Sequence, residues 1–300
     1  MDGTALLSAR GGRPPVAISF GTSLNGASRP VIAMTTGLRP FVVKFREFAG
    51  KHGLMSEAVG AELMAHLGLP VPGWTPVRFT DDLIGRHPEI WCRGGPEAKG
   101  VRPRAGLGFG SSLTLSAPPG ETYQIIPSAW VSRIANLTDF VGALLVDLWA
   151  NNCDRRQCLF LTGPEPDSLR AVFIDNDWMF GGHFGNEQTC ARRAMAPLRG
   201  LYKEIWTKET ISYWKGRIDR VGEATLNSIV AAVPPAWAGR ASVMGVREEL
   251  LRRRRILDLL IAEATEAIQR SDPPTWSTPR PALSARPSSA RPTPLRRVPA

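Results

Sequence analysis

Short apolar stretches broken by Gly, Asn and Pro fill the N-terminal part of the chain. PVAISF (15–20), RPVIAMTT (29–36) and RPFVVKF (39–45) are rich in β-branched and aromatic residues and bounded by Gly, Asn and Pro, which predicts a small antiparallel sheet. The period then changes. SEAVGAELMAHLG sets Val59, Leu63, Met64 and Leu67 at helical spacing, which predicts a helix opening on Ser56 and closing at Gly68. Residues 73–130 mix short strand-like pieces with Gly- and Pro-rich loops. From Leu137 the pattern turns helical, most clearly in TDFVGALLVDLWANN, with Thr138 or Asn136 as cap and Asp147 interrupting the apolar run. LRAVFID (169–175) reads as a strand, and the chain from there to Arg270 as mostly helical. No internal repeat is present.

Composition adds limits. With 300 residues and 43% hydrophobic content, the chain can bury a large core as one domain or two lobes. Residues 271–300, dense in Pro and Arg with Trp276 the one aromatic, are expected to be disordered, since they bury too little apolar surface to offset chain entropy. No uncharged apolar run approaches the roughly 18 residues of a membrane span, and the N-terminus lacks a cationic start followed by an apolar block. A soluble, cytoplasmic protein without membrane contact is the expectation.

The net charge of +10 comes partly from the tail and partly from Arg252–Arg255. That run reads as the solvated face of an amphipathic helix whose Leu250, Leu251, Ile256, Leu259 and Leu260 turn inward. Non-specific contact between tail and nucleic acid is the most this charge implies, because no zinc-finger or RNP-like signature accompanies it. Of Cys92, Cys153, Cys158 and Cys190, only Cys153 and Cys158 are neighbours, and no second Cys or His pair stands at zinc-site spacing. Reduced, incidental thiols are expected.

The order of charged residues suggests chemistry. Phosphoryl transfer from a nucleotide needs a cation at the phosphates, a carboxylate for the metal and another near the attacking hydroxyl. Lys44 fits the first, with Glu57 orienting it; Asp175 fits the second and Asp154 the third. Small residues in LNGAS (24–28) let backbone amides approach phosphates. Each residue has a plainer reading: Lys44 as an edge-strand lysine, Glu57 as a favourable acid near a helix N-terminus, Asp154 paired at the surface with Arg155 or Arg156, Asp175 as a turn cap in DNDW. Taken together and in order, the phosphoryl-transfer reading overtakes them.

The blocks TGLRPFVVKF, SEAVGAELMAHLGLPVP, GLGFGSS, DFVGALLVDLWANNCDRRQCLF, VFIDNDWMFGG and APLRGLY resemble the HipA-like kinases, bacterial proteins with a protein-kinase and phosphatidylinositol-kinase-like core. The resemblance spans about Asn25 to Leu260. It implies an α+β, two-lobed protein-kinase-like fold: a small N-terminal antiparallel sheet plus one helix, then a larger, mostly helical lobe. Residues 14–128 would form the first lobe behind a flexible 1–13, and 129–270 the second, with a catalytic loop at 149–160 and a metal-binding segment at 172–182.

The resemblance further implies ATP and Mg2+ as cofactors and a Ser or Thr hydroxyl as acceptor. Lys44 matches the ATP-phosphate lysine, Glu57 the acid of the helix start, Asp154 the catalytic aspartate and Asp175 the metal-binding aspartate. Gly26, Ala27 and Ser28 match the nucleotide-covering loop, and GLGFGSS (106–112) the adenine-contacting linker. Two departures stand out. Many members carry an Asn five residues after the catalytic Asp, where this chain has Leu159; DRRQCLF instead follows an Asp-x-Arg-Gln branch, in which Gln157 would substitute as a metal or phosphate ligand. Lys44 also lies too near the N-terminus for the extra subdomain of toxin-type members, so an antitoxin partner is not expected. Two other readings stay open: a pseudokinase that senses nucleotide or binds a partner, and a kinase for a small molecule or lipid.

Overall fold

The computed structural model describes residues 12–24, 29–92, 100–112, 122–163, 165, 167–181, 199–238 and 240–270. The predicted N-terminal strands form as β1 (Ala17–Ser23), β2 (Val31–Thr35) and β3 (Pro40–Lys44), joined by β4 (Trp74–Phe79) and β5 (Gly106–Ser112) in an antiparallel sheet of order β1-β2-β3-β5-β4. GLGFGSS is therefore an interior strand and not a linker. Its glycines permit this: a Cβ on Gly108 would lie 2.8 Å from the Lys44 carbonyl, and one on Gly110 2.5 Å from Val77 Cγ2. The sheet's two edges meet where Val16 bridges Arg78 and the Arg78 N–H donates to Pro15 O at 2.9 Å. Phe20, Phe41, Phe45 and Phe79 fill a small core with Leu83 and Ile84 of the short helix Asp81–Arg86.

The long helix α1 (Arg46–His66) begins well before Ser56. Ser56 is buried mid-helix, its hydroxyl donating to Met179 O at 3.5 Å, so it caps nothing. The helix ends as expected at Gly68, whose φ of +80° suits glycine, and Arg217 Nε covers the freed Leu67 carbonyl at 2.7 Å. Leu54, Met55, Val59, Leu63 and Met64 do not belong to the core of the five-stranded sheet. They pack into the larger core, with α3 (Asp139–Trp149), α2 being Asp81–Arg86.

A second antiparallel sheet, β6 (Thr122–Tyr123), β7 (Gln157–Thr162) and β8 (Leu169–Ile174), lies in chain order. It is followed by α4 (Arg199–Ile205), α5 (Lys208–Asp219), α6 (Glu223–Ala231), α7 (Arg240–Arg255) and α8 (Leu257–Gln269). Neither Thr138 nor Asn136 caps α3 by its side chain. Asn136 instead bonds the Asp139 carboxylate and both backbone groups of Ala171, tying the helix to β8. At the other end of α3, Arg253 donates to Leu148 O at 2.7 Å and Trp149 O at 3.0 Å, a cation on a helix C-terminus.

The arginine run is thus not one solvated face. Arg253 is 2% exposed and Arg254 bonds Val221 O, while Arg252 pairs outward with Glu249 at 2.7 Å. Trp237 joins the halves of the molecule: its indole donates to Leu107 O at 3.0 Å, and its ring lies against Trp74 and Phe109. No helix among the described residues is long and apolar enough to cross a membrane. The tail from 271, residues 1–11 and Cys190 lie outside the described residues.

Candidate functional site

Lys44 ends β3 and points its ammonium into a group of carboxylates from two distant segments. It bonds Glu57 Oε1, Asp175 Oδ1 at 2.6 Å and Asp177 Oδ2 at 3.3 Å. Glu57 is held from the other side, its Oε2 accepting the Asn176 N–H at 2.9 Å. Helical spacing supplies the fit. Gly60 lies on the same face of α1 as Glu57, and a Cβ there would fall 2.5 Å from Asn176 Cβ and 2.7 Å from Met179 Sδ, so only glycine lets α1 come this close to the segment after β8. Gln157, the first residue of β7, pairs in register with Ile174 and donates from Nε2 to Asp175 Oδ2 at 2.6 Å.

The charges do not balance. One ammonium faces three carboxylates, all three half-buried or deeper. Burial works against the Lys44 charge, but Glu57, Asp175 and Asp177 outweigh it and hold its pKa well above the usual range. Burial raises Glu57 despite Lys44. For Asp175, burial is overcome by Lys44, leaving its pKa low. Burial pushes Asp177 up to about 8 despite Lys44, with Asp175 and Glu57 adding to the rise. One oxygen from each of Glu57, Asp175 and Asp177 lies within 4.8 Å of the others. Hard oxygen donors carrying excess negative charge suit Mg2+ or Mn2+.

Asp154 sits in the turn between α3 and β7. Its N–H donates to Asn152 Oδ1 at 3.1 Å, and its own Oδ1 accepts the Arg155 N–H at 2.7 Å. The neighbouring Arg156 does not pair with it at the surface. Arg156 is fully buried against Asp147, where burial disfavours its charge but the carboxylate outweighs the loss. It also reaches the backbone of the Asp175 segment: Nη1 donates to Ile174 O at 3.2 Å, Asp175 O at 3.3 Å and Asn176 Oδ1 at 2.8 Å. Asn152 Nδ2 donates to Asp147 Oδ1 at 2.9 Å.

No family model matches the sequence, and no curated protein does. Among solved structures, the chain is similar to the Helicobacter pylori proinflammatory kinase CtkA, at 13% identity over 83% of this chain and 96% of that one, with a TM-score of 0.51. The chain has a kinase-like fold. It is the fold that the resemblance to HipA-like kinases implies, and at such identity the similarity speaks to fold alone. Looser likenesses, each with a TM-score of 0.49, reach a Golgi casein kinase (9% identity, 86% of this chain and 73% of that one) and HipA in the Shewanella oneidensis MR-1 complex with HipB and operator DNA (14%, 85% and 68%).

Within this kinase-like fold, Lys44, Glu57, Gln157 and Asp175 come together, and Asp154 stands on the adjoining turn. Gly26, Ala27 and Ser28 lie outside the described residues. Leu159 pairs with Val172 inside the ladder and offers no polar atom. Two residues with a place in the site escaped the sequence reading. Asp177 was hidden in DNDW, which looks like a turn, and the second acid of that motif was the available signal. Asp147 was visible only as a break in an apolar run; a lone acid on a helix buried on every side needs a buried cation, and Arg156 is that partner. The thiols of Cys92 and Cys158 are free and pushed up to about 12 by burial. Cys153 is disulfide-bonded, which departs from the expectation of reduced thiols.

Proposed function

We propose that the protein is an ATP- and divalent-metal-dependent phosphotransferase acting on a hydroxyl, with protein Ser or Thr as acceptor. The observation that carries this reading is the single ammonium of Lys44 held between a helix acid, Glu57, and the acids that follow β8. Glu57 fixes the direction of Lys44, whose Nζ would meet nucleotide phosphate oxygens. Asp175, Asp177 and Gln157 would hold the metal, which when bound neutralises charge on the phosphates. Asp154, half-buried with Oδ1 on the Arg155 N–H, would orient an acceptor hydroxyl and take its proton. Positioning and charge neutralisation supply most of the rate in such transfers.

The test is incubation with labelled ATP and Mg2+, with and without a generic protein acceptor, beside a thermal-shift measurement with ATP. Transfer that Asp154→Asn abolishes without loss of ATP stabilisation is the expected result. Persistent transfer by Asp154→Asn would remove the proposed role of Asp154. A nucleotide-binding pseudokinase is the second reading, and Leu159 in the ladder favours it. Stabilisation by ATP with no transfer to protein, lipid or small hydroxyl compounds would select it.

A further inference from the structure

Asp147 and Arg156 are both without solvent exposure at their side chains, yet neither bonds Lys44 or Glu57. Burying such a pair stabilises a fold no better than apolar residues of similar volume would, so its presence calls for another account. Its hydrogen bonds run in two directions. Toward one side, Asp147 Oδ1 accepts from Asn152 Nδ2 at 2.9 Å, and Asn152 Oδ1 accepts the Asp154 N–H at 3.1 Å. Toward the other, Arg156 Nη1 bonds the Ile174 and Asp175 carbonyls, which flank the Asp175 Cα, and Asn176 Oδ1 at 2.8 Å. Asp175 itself has φ of +66°, a left-handed conformation that is strained for a residue with a Cβ and persists only where the surroundings impose it.

We infer that Asn152, Asp147 and Arg156 form a brace that sets Asp154 and Asp175 at a fixed separation and keeps Asp175 in its left-handed conformation. These are positioning residues: they touch the two carboxylate-bearing segments and not the reactants. Arg suits the place because its planar fork serves Asp147 and three further acceptors at once. A lysine keeps the charge but cannot reach both sides. The inference rests on the phosphotransferase reading for its catalytic half and on the Asp175 backbone for its binding half.

Each half has its own variant. Arg156→Lys cuts the Asp175 side; Asn152→Ser cuts the Asp154 side and leaves the buried ion pair in place. With the full chain, Mn2+ half-saturation in the presence of ADP is read by electron paramagnetic resonance, and kcat and KM for ATP by initial rates. Arg156→Lys is expected to raise Mn2+ half-saturation by about 10-fold or more, the size of effect seen when partners behind a metal ligand are removed. Asn152→Ser is expected to lower kcat by about 10-fold or more with KM and Mn2+ half-saturation unchanged.

Equal effects of both variants on both readouts, or changes that follow only a falling melting temperature, would overturn the brace. If Arg156→Lys does not fold, Asn152→Ser decides by its split between kcat and KM. If the wild-type chain transfers no phosphate, the phosphotransferase reading falls, and the Mn2+ measurement still judges the brace: unchanged half-saturation in Arg156→Lys overturns it.

Discussion

Two groups of charges meet at Asp175, one on its carboxylate and one on its backbone carbonyl, and they are built on different terms. The Asp147–Arg156 pair is closed: one charge meets one charge, both wholly buried, with the remaining donors spent on backbone and amide acceptors. The Lys44 group is open, with three acids on one ammonium and partial solvent access. A balanced, sealed pair holds geometry. An unbalanced one invites a ligand, and strongly shifted carboxylates in such a place mark functional sites more often than structural ones.

The largest expected effect comes from breaking the closed pair. Asp147→Ala strands a buried guanidinium and should cost about 3–5 kcal/mol in urea unfolding, whereas Glu57→Gln, which leaves Lys44 two other carboxylates, should cost less, about 1–3 kcal/mol. Activity reverses the order of importance. Lys44→Met should reduce phosphate transfer by about 100-fold or more, as loss of a preorganised charge does, with the fold intact by circular dichroism.

Gly60→Ala strikes between the groups, because the added methyl meets Asn176, which serves both; about 1–3 kcal/mol of overpacking is expected by denaturant titration. Millimolar Mg2+ should raise the melting temperature by about 2 °C or more, and by less in Asp177→Asn, which lacks one of the carboxylates that repel each other. Smallest of all, Arg86→Ala, removing an exposed pair with Asp82 at 3.0 Å, should change stability by under about 1 kcal/mol.

What could be read from the chain depended on whether side chains or neighbours decide the element. β1, β2, β3 and β8 show themselves through short runs rich in β-branched and aromatic residues. β5 does not, since Gly108 and Gly110 are there to admit Lys44, Phe79, Val77 and Phe41 and carry no pattern of their own. The start of α1 was masked by glycines at 50 and 53 and by Ser56, which resembles a cap but is buried in the helix interior. Arg253 is invisible within a run of four arginines, because its inward direction is fixed by where α3 ends. Lys44, Glu57, Asp154 and Asp175 were legible as an ordered set; Asp177, Arg156 and Asp147 needed the contacts that make them partners.

The helix that carries Glu57 has its apolar side in the main core, its C-terminal carbonyl under Arg217 and its glycine against Asn176. Swinging it aside would open the centre of the molecule, so the Lys44–Glu57 pairing lasts as long as the fold does. The same contacts that seat the helix in the fold thereby seat Glu57 against Lys44.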